Sequence, residues 1–430
     1  MSGEKSVGVG LIGLGTIGTG VVKVFADRPR VLSTQAEITV SLKRIAEKDP
    51  ARKLPDGVSS VLSRNAFDVI NDPEISIVIE LIGGEHPAFD FISSAIKNVK
   101  HLVTANKEVI SKHGHELCAL ARQNRVELSF EAAVGGGIPL IAPFQRDIVV
   151  NRINAIHAIL NGTTNYIITK MADDNLDFSV ALKQAQQLGY AEANPASDIE
   201  GIDAGYKLAI LASLAFHSSV KPEDIYREGI SRLKAKDFKY ARELGYAIKL
   251  LAIAKQSDLG IEVRVHPVFI PEDSLLASVT GVYNAIQVEG DLFGKVIFYG
   301  QGAGANPTSS AVLADVVGIA RNIGMRRINM VQYPAKNSPI KPVSDIKMCF
   351  YLRLTVNDSP GVLASISRVL GEHLISISSV IQKETDASSQ TAEIVITTHP
   401  AHEKAMQEAL EETRKLEVVK EISNFVRIEA

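Results

Sequence analysis

The chain has 430 residues, 46% hydrophobic and 22% charged, a balance that predicts several soluble globular domains and excludes a disordered or fibrous protein. Its 46 Lys and Arg residues against 49 Asp and Glu residues give a net charge of −3, which offers no footprint for nucleic acid or an anionic membrane. The two cysteines, Cys118 and Cys349, support neither a disulfide framework nor a zinc site and favour a cytoplasmic location. No apolar run approaches the roughly 18 residues of a membrane-spanning helix. Partners are therefore expected to be small molecules or other copies of the chain.

The first 135 residues alternate between predicted strands and helices. An apolar strand over 7–12 leads through Gly13-Leu14-Gly15-Thr16-Ile17-Gly18 into a helix predicted from Thr19 to about Ala26. Further strands are predicted over 38–46, 75–82, 101–104 and 127–131, with helices over 89–98 and 110–124. Such alternation predicts an α/β fold with a doubly wound parallel sheet.

The glycines at 13, 15 and 18 follow a strand and open a helix, which is the context of a Rossmann-type dinucleotide-binding turn. A tight turn without a ligand is the alternative, although the helix N-terminus would attract an anion. Beyond the second strand, Glu47 favours a free ribose 2′-hydroxyl, whereas Lys48, with other basic residues beyond it, favours a 2′-phosphate. The choice between NAD and NADP therefore stays open.

Thr104-Ala105-Asn106-Lys107 stands where a predicted parallel strand ends, and ligands of open α/β sheets bind outside such ends. Lys107 is therefore a candidate to contact cofactor or substrate, with an ordinary solvated lysine as the alternative.

Residues 136–304 have a different character, with longer helices between strand-like segments, and are predicted to form a second, α+β domain for substrate binding and dimerisation. Strands are expected over 152–160, 262–270, 285–289 and 295–299, and helices over 178–188 and 201–217. The turn from Gly300 to Gly304 then opens a helix over 308–322, so that 305–330 would complete the first domain, 1–135. A Pro-rich linker over 331–347 leads to a last domain over 348–430 with βαββαβ order.

Asp203 and Lys207 are four residues apart and would share one face of a helix. A surface ion pair is the alternative, but residues 208–216 are apolar nearly all round, as in a buried helix. Ionisable groups are costly to bury unless paired or used, so a function is predicted for both. A lysine held by a carboxylate can give a proton to an oxygen that gains charge during hydride transfer. Glu192, on the loop leading in, could receive a substrate amino group.

Glu131 lies close in the sequence to the glycine-rich turn at 135–137. The carbonyl oxygens of this turn need a partner, and oxygen ligands suit a hard cation. A hinge between domains is the alternative interpretation of this turn.

Together these segments resemble homoserine dehydrogenase, which interconverts L-aspartate 4-semialdehyde and L-homoserine with NAD(P)(H). The resemblance covers nearly the whole chain and rests on GLGTIG at 13–18, TANK at 104–107, EAAVGGGIP at 131–139, NGTTNY at 161–166 and the long signature from Ala185 to Lys207. It implies that Lys207 is the proton donor to the aldehyde oxygen, with Lys107 beside the nicotinamide and substrate. It further implies substrate contacts for Glu192, Asp198 and Asp203.

The same resemblance implies a cofactor site and a cation site. The candidate cofactor-binding residues, taken from the resemblance and from the residues themselves, are Gly13, Gly15, Thr16, Ile17, Gly18, Lys48, Thr104, Lys107, Gly189, Gly302 and Gly304. Glu131, through its side chain or backbone, would bind a monovalent cation, sodium, with the backbone oxygens of Val134, Gly136 and Ile138. The basic residue usual in the family after the second strand is not plainly matched, because Glu47 precedes Lys48.

The βαββαβ unit resembles an ACT domain, with Asn357-Asp358-Ser359-Pro360-Gly361-Val362-Leu363 at its first strand-to-helix turn. The resemblance implies feedback control by threonine, and the helix-terminus amides at 361–363 could hold a carboxylate. A domain used mainly for oligomerisation is the alternative. A monofunctional enzyme is expected, assembled as a homodimer or homotetramer.

Two other functions are weighed against this one. A phosphate-dependent semialdehyde dehydrogenase needs a thiolate nucleophile, and Cys118 lies in no nucleophile motif. A dinucleotide- and amino-acid-sensing regulator would bind ligands without turnover, and it leaves Asp203 and Lys207 unexplained. The favoured expectation is a hydride donor on the first domain facing an aldehyde held by the second, with domain closure excluding water.

Overall fold

The computed structural model describes residues 6–55, 58, 60–335, 337–386 and 390–429. Parts of the predicted domains and linker, at 1–5, 56–57, 59, 336, 387–389 and 430, lie outside the described residues. The chain divides into two compact units, the first made of 1–156, 206–224 and 284–338, the second of 157–205, 225–283 and 339–430. The three-domain division predicted from the sequence stays a prediction.

The strands, in chain order, are β1 (Ser6–Ile12), β2 (Thr39–Ala46), β3 (Val61–Ser63), β4 (Ile77–Glu80), β5 (His101–Thr104), β6 (Leu128–Ser129), β7 (Ile153–Ile159), β8 (Tyr226–Arg227), β9 (Tyr246–Ser257), β10 (Gly260–Pro271), β11 (Tyr283–Gly290), β12 (Gly294–Gln301), β13 (Lys347–Asn357), β14 (Ile377–Asp386), β15 (Thr391–Thr398), β16 (Ala401–His402) and β17 (Val419–Ile428).

The helices are α1 (Thr16–Asp27), α2 (Pro29–Ala36), α3 (Phe67–Ile70), α4 (Ala88–Lys97), α5 (Lys107–Gln123), α6 (Ile141–Gln145), α7 (Gly162–Asp173), α8 (Phe178–Gln187), α9 (Ala196–Ile199), α10 (Ile202–Phe216), α11 (Ala235–Glu243), α12 (Ala305–Gly324), α13 (Val362–Glu372) and α14 (Glu403–Thr413). Short 3₁₀ turns cover Glu131–Ala133, Pro222–Asp224 and Val343–Asp345. In the described part of the chain no helix is long and apolar enough to cross a membrane.

The first unit contains a six-stranded sheet in the order β3-β2-β1-β4-β5-β6, and its paired strands are parallel. The strand order reverses between β1 and β4, which pair from Val9 with Ile77 to Ile12 with Glu80. β4 is buried along its whole length, as expected for a parallel strand covered on both faces. The prediction of a Rossmann-type, doubly wound α/β sheet is confirmed.

Helix α12 packs against α1, and its apolar side chains, including Val312 and Val316, share one buried core with Val21 and Val22. This helix follows β11 and β12, which are neighbours in a second sheet of the chain. A distant part of the sequence thus contributes to the core around the glycine-rich turn.

In the second unit β9 and β10 form a long antiparallel pair, and β10 continues into the C-terminal sheet by pairing in parallel with β17. β13 lies between β17 and β15, and β14 is the outer strand beside β15. Helices α13 and α14 pack on this sheet through a core that includes Phe350, Ile366 and Met406. The predicted βαββαβ order is confirmed.

Several element predictions differ from the structure. β9 is not predicted, because its Ala, Leu and Lys residues are good helix formers, and it is a strand because twelve residues pair with β10. α1 begins at Thr16 rather than Thr19, directly after the Gly15 N-cap. A short strand, β16, which the βαββαβ order does not include, precedes α14, because Ala401 and His402 pair with β13.

Candidate active site

The turn after β1 has the geometry of an anion-binding loop. Gly13 adopts a φ of +100°, and a Cβ on Gly18 would lie 2.1 Å from the Gly13 carbonyl oxygen, so neither position accepts a side chain. A Cβ on Gly15 would meet no atom within 4 Å, which leaves its backbone open to a ligand. Thr16 and Ile17 form the first turn of α1, so their N–H groups are at the helix N-terminus.

Glu47 holds this turn in place. Its carboxylate accepts hydrogen bonds from the Leu14 N–H at 2.7 Å and from the Asp49 N–H at 2.9 Å. The Arg52 guanidinium donates to the Leu14 carbonyl at 3.1 Å, whereas Lys48 is exposed. Both the Glu47 carboxylate and the Arg52 guanidinium therefore contact the turn. The geometry favours neither a free 2′-hydroxyl nor a 2′-phosphate on the cofactor ribose.

The ends of β4 and β5 carry a buried acid that the sequence analysis missed. Glu80 accepts a hydrogen bond at 2.6 Å from the hydroxyl of Thr104, and burial raises the pKa of Glu80. Asn106 caps α5 and also donates to the Gly84 carbonyl at 2.7 Å, which places Lys107 at the first position of that helix. The sequence feature that could have identified Glu80 is its position as the last residue of an apolar strand, shortly before Gly83 and Gly84.

Two segments that carry candidate lysines meet in the first unit. The Tyr206 hydroxyl donates to Glu108 Oε1 at 3.4 Å, and Lys112 lies over the Tyr206 ring at 5.7 Å. Lys107 directly precedes Glu108, and Lys207 directly follows Tyr206. The structure thereby brings together the N-terminus of α5 and the part of α10 that bears Lys207.

Asp203 and Lys207 both lie on α10, with only 3% and 8% of their surfaces exposed. Nearly every residue after them on this helix is apolar and buried. Two ionisable groups on one turn of such a helix would be costly without a partner or a function.

In the second unit a single asparagine amide joins two of the predicted substrate carboxylates. Asn161 Nδ2 donates to Asp198 Oδ1 at 2.7 Å and to Asp203 Oδ2 at 2.9 Å. Asn161 Oδ1 accepts the Thr164 N–H at 2.9 Å and so caps α7, which fixes the direction of the amide. The sequence analysis did not select Asn161 as a site residue, although an Asn before Gly-Thr-Thr is typical of a helix N-cap.

Glu192 and Gly189 lie on an exposed loop between α8 and α9. Gly189 has a φ of +75°, and a Cβ there would meet no atom within 4 Å. Gln186 donates to the Glu192 carbonyl at 3.1 Å. Within the described residues no side chain donates to the Glu192 carboxylate, so the structure does not join it to the Asn161 cluster.

The turn that contains Gly135, Gly136 and Gly137 has three main-chain oxygens without a hydrogen-bond donor among the described residues. The Glu131 carboxylate accepts the N–H groups of Ile141 and Ala142, each at 2.8 Å, and that of Leu140, so its side chain is engaged in holding α6. The backbone oxygens of Val134, Gly136 and Ile138 have no donor among the described residues. Among the described residues these three main-chain oxygens are therefore open to a ligand, whereas the Glu131 carboxylate is already occupied by N–H groups.

The turn from Gly302 to Gly304 packs against the same place. A Cβ on Gly136 would lie 2.6 Å from the Gly302 carbonyl oxygen, and one on Gly302 would lie 2.0 Å from Asn284 Nδ2. Gly304 is the N-cap of α12 with a φ of +122°. The close approach explains the glycines at 136 and 302 by packing, independent of any ligand.

Three family models match the chain: "Homoserine dehydrogenase, NAD binding domain" over 13–131, "Homoserine dehydrogenase" over 139–317 and "ACT domain" over 350–418. The homoserine dehydrogenase of Pseudomonas aeruginosa is 41% identical over 99% of both chains. The chain belongs to the homoserine dehydrogenase family. The resemblance found in the sequence is confirmed, and so is the family's activity as an NAD(P)-dependent oxidoreductase of amino-acid biosynthesis.

Other homoserine dehydrogenases agree with this assignment. The Synechocystis enzyme is 43% identical over 98% of this chain and 99% of its own. A crystal structure of a homoserine dehydrogenase from Thiobacillus denitrificans is 42% identical, covers 99% of this chain and 98% of its own, and superposes with a TM-score of 0.92.

The thiolate mechanism considered above finds no support in the geometry of Cys118. This thiol is buried on α5, and burial raises its pKa to about 12, so it is protonated at neutral pH.

Proposed function

We propose that Lys207 is the general acid of a reversible reduction of L-aspartate 4-semialdehyde to L-homoserine by NAD(P)H. The observation that carries this assignment is the burial of Lys207 and Asp203 on one apolar helix. A buried ammonium one helical turn from a carboxylate is suited to giving its proton to an oxygen that gains charge.

Asp198, Asp203 and Glu192 are proposed to hold the amino group of the substrate, with Lys107 beside the nicotinamide and the substrate. The support is the Asn161 amide, which holds two of these carboxylates side by side. Since a pair of carboxylates attracts a cation, this arrangement suits an ammonium ligand.

The glycine-rich turn is proposed to bind the cofactor pyrophosphate, and the site as a whole accepts NADP or NAD. The proposed contacts are Gly13, Gly15, Thr16, Ile17, Gly18, Lys48, Thr104, Gly189, Gly302 and Gly304. Support comes from the open backbone at Gly15 and the helix N-terminus that follows it.

A monovalent cation, sodium, is proposed at the turn that follows Glu131. Its ligands would be the backbone oxygens of Glu131, Val134, Gly136 and Ile138, which suit a hard cation. Gly135 and Gly136 both have positive φ, and this backbone conformation sets the direction of the carbonyl groups in the turn. A cation bound to these carbonyl oxygens would stabilise the turn.

The ACT domain is proposed to bind threonine as a feedback effector and to take part in forming a homodimer or homotetramer. Gly361, with a φ of +90°, is the N-cap of α13, and a Cβ there would meet no atom within 4 Å, so the first N–H groups of the helix can be approached by a carboxylate. The outer strand β14 is available for pairing with another copy. The free, reduced cysteines support a cytoplasmic location.

The decisive assay measures homoserine-dependent reduction of NAD⁺ and of NADP⁺ by absorbance, with and without threonine. Turnover supports the reaction, its rates rank the two cofactors, and slowing by threonine supports the regulatory role. Dinucleotide binding without turnover would overturn the catalytic assignment and favour a sensing protein.

A further inference from the structure

A cavity of about 280 Å³ lies within the second unit, between the C-terminal half of α7, α11, the start of β9 and the segment 272–280. None of the residues proposed to bind the substrate or cofactor lines it. Its volume is just below the roughly 300–1,000 Å³ of ordinary small-molecule pockets, so an occupant would have few heavy atoms.

The floor of the cavity carries a buried cation. Lys249, on β9, is 4% exposed, and its ammonium donates to the Val279 carbonyl at 2.6 Å. An ammonium has three N–H donors, and among the described residues only this one acceptor is provided. Burial lowers the pKa of Lys249 to about 8, while Asp173 opposes the shift, so the group is still mostly charged at pH 7.

The rim of the cavity carries charge of both signs. Asp173, Arg242 and Glu272 line it and are exposed, and the Arg242 guanidinium donates to the Ala172 carbonyl at 3.2 Å. Two carboxylates and one guanidinium therefore surround the opening. Apolar groups such as Ile168 and Phe238 complete the lining.

We propose that this cavity binds a small zwitterionic amino acid, with its carboxylate at Lys249 and its ammonium toward Asp173 and Glu272. A buried ammonium with spare donors favours an anion over a neutral apolar molecule. The two rim carboxylates disfavour a dianion by repulsion and favour a ligand that carries a positive group as well.

The cavity also adjoins the helix that the C-terminal sheet holds. Phe238 lines the cavity, and the preceding residue, Asp237, is buried and accepts hydrogen bonds from Arg353, Tyr351 and Asn424 of that sheet. A ligand in the cavity would contact α11 and thereby stabilise this helix. The proposed site is separate from the proposed catalytic function, and it would be an effector site outside the core of the ACT domain.

The test uses the full chain and isothermal titration with glycine, L-alanine, L-serine and L-threonine up to about 10 mM, which detects affinities as weak as millimolar. Propionate and propylamine, each with one of the two charges, are titrated in parallel. We expect at least one amino acid to bind, and Lys249→Met to weaken that binding by about tenfold or more through loss of a charge-assisted hydrogen bond. Lys183→Met, on the exposed side of α8, is the matched control and should leave it unchanged.

Because Lys249 is buried, a second variant, Glu272→Lys, changes the exposed rim and leaves the core untouched. It is expected to weaken amino-acid binding and to strengthen propionate binding. The proposal is overturned if no amino acid binds the wild-type chain, or if binding survives both substitutions and so belongs elsewhere. It is also overturned if propionate binds as well as the amino acids, which would indicate a simple anion site. Homoserine turnover is measured separately, so failure here leaves the catalytic assignment standing.

Discussion

Two pairs of acidic side chains in the second unit are held close together by different groups. Asp198 and Asp203 share the neutral amide of Asn161, whereas Asp237 and Glu393 share the guanidinium of Arg353, at 2.8 and 3.0 Å. A guanidinium supplies positive charge and a rigid fork, so it neutralises the pair and fixes it as part of the core. An amide fixes the positions of the two carboxylates and supplies no charge of its own.

A third pair, in the first unit, is accommodated in another way. Asp315 accepts the Glu131 N–H at 2.9 Å, and desolvation together with the nearby Glu131 carboxylate raises the pKa of Asp315 to about 8. A proton on Asp315 therefore does what the guanidinium does for Asp237 and Glu393. Amide, guanidinium and proton are thus three ways in which neighbouring carboxyl groups are held in the described part of the chain.

The largest effect is expected at the helix that carries Asp203. Lys207→Ala should lower homoserine turnover by about 10²–10⁴-fold, the usual contribution of a general acid, while dinucleotide affinity stays nearly unchanged. The measurements are kcat and a fluorescence titration of reduced nicotinamide, with Lys183→Ala as the control. An equal loss of turnover and of cofactor affinity would contradict the assigned role.

Arg353→Met should destabilise the fold by about 3–5 kcal/mol, because it leaves Asp237 buried without its cation and Glu393 with only the more distant Lys236, at 3.5 Å. Lys383→Met removes an exposed ion pair with Glu243 at 2.8 Å and should cost less than about 1 kcal/mol. Urea unfolding measures both free energies. Equal free energies of unfolding for the two variants would show that Arg353 does not stabilise the core through Asp237 and Glu393.

Asn161→Ser should raise the KM for homoserine by about tenfold, because a hydrogen bond to a charged group is lost. The free energy of unfolding should change little, because Ser also caps helices. Asn161→Ala should raise KM similarly and in addition cost about 1 kcal/mol of stability. Steady-state kinetics and urea unfolding separate the two effects. An unchanged KM in the Ser variant would make Asn161 a helix cap only.

Asp315→Asn should change the pH dependence of stability. Since the folded-state pKa of Asp315 is about 8 against an ordinary 3.8, the folded chain holds an extra proton between these values and loses stability as pH rises. This slope, at most about 1.4 kcal/mol per pH unit, is absent in the variant. Between pH 5 and pH 7.5, urea unfolding should show the free energy of unfolding of the wild type decreasing relative to that of Asp315→Asn. An equal change of this free energy with pH in both proteins would show that Asp315 is not protonated in the folded chain.

Much of the first unit could be predicted from the sequence because its signals are local. Glycines at 13, 15 and 18 are required by one turn, and the continuous apolar run around β4 follows from burial on both faces. The buried character of α10, and with it the interest of Asp203 and Lys207, likewise follows from the apolar residues next to them.

The partners of these residues depend on long-range pairing and could not be predicted. Asn161 lies 37 and 42 residues from the two carboxylates it joins, and Glu80 lies 24 residues from Thr104. β9 is a strand because it pairs with a neighbouring strand, β10, along its whole length, against the helix preference of its residues. The sequence by itself determined the glycine-rich turn, the apolar strands around it and the apolar helix on which Asp203 and Lys207 are buried. The tertiary structure alone decided which charges meet, because a hydrogen bond depends on distances in space that residue spacing does not set.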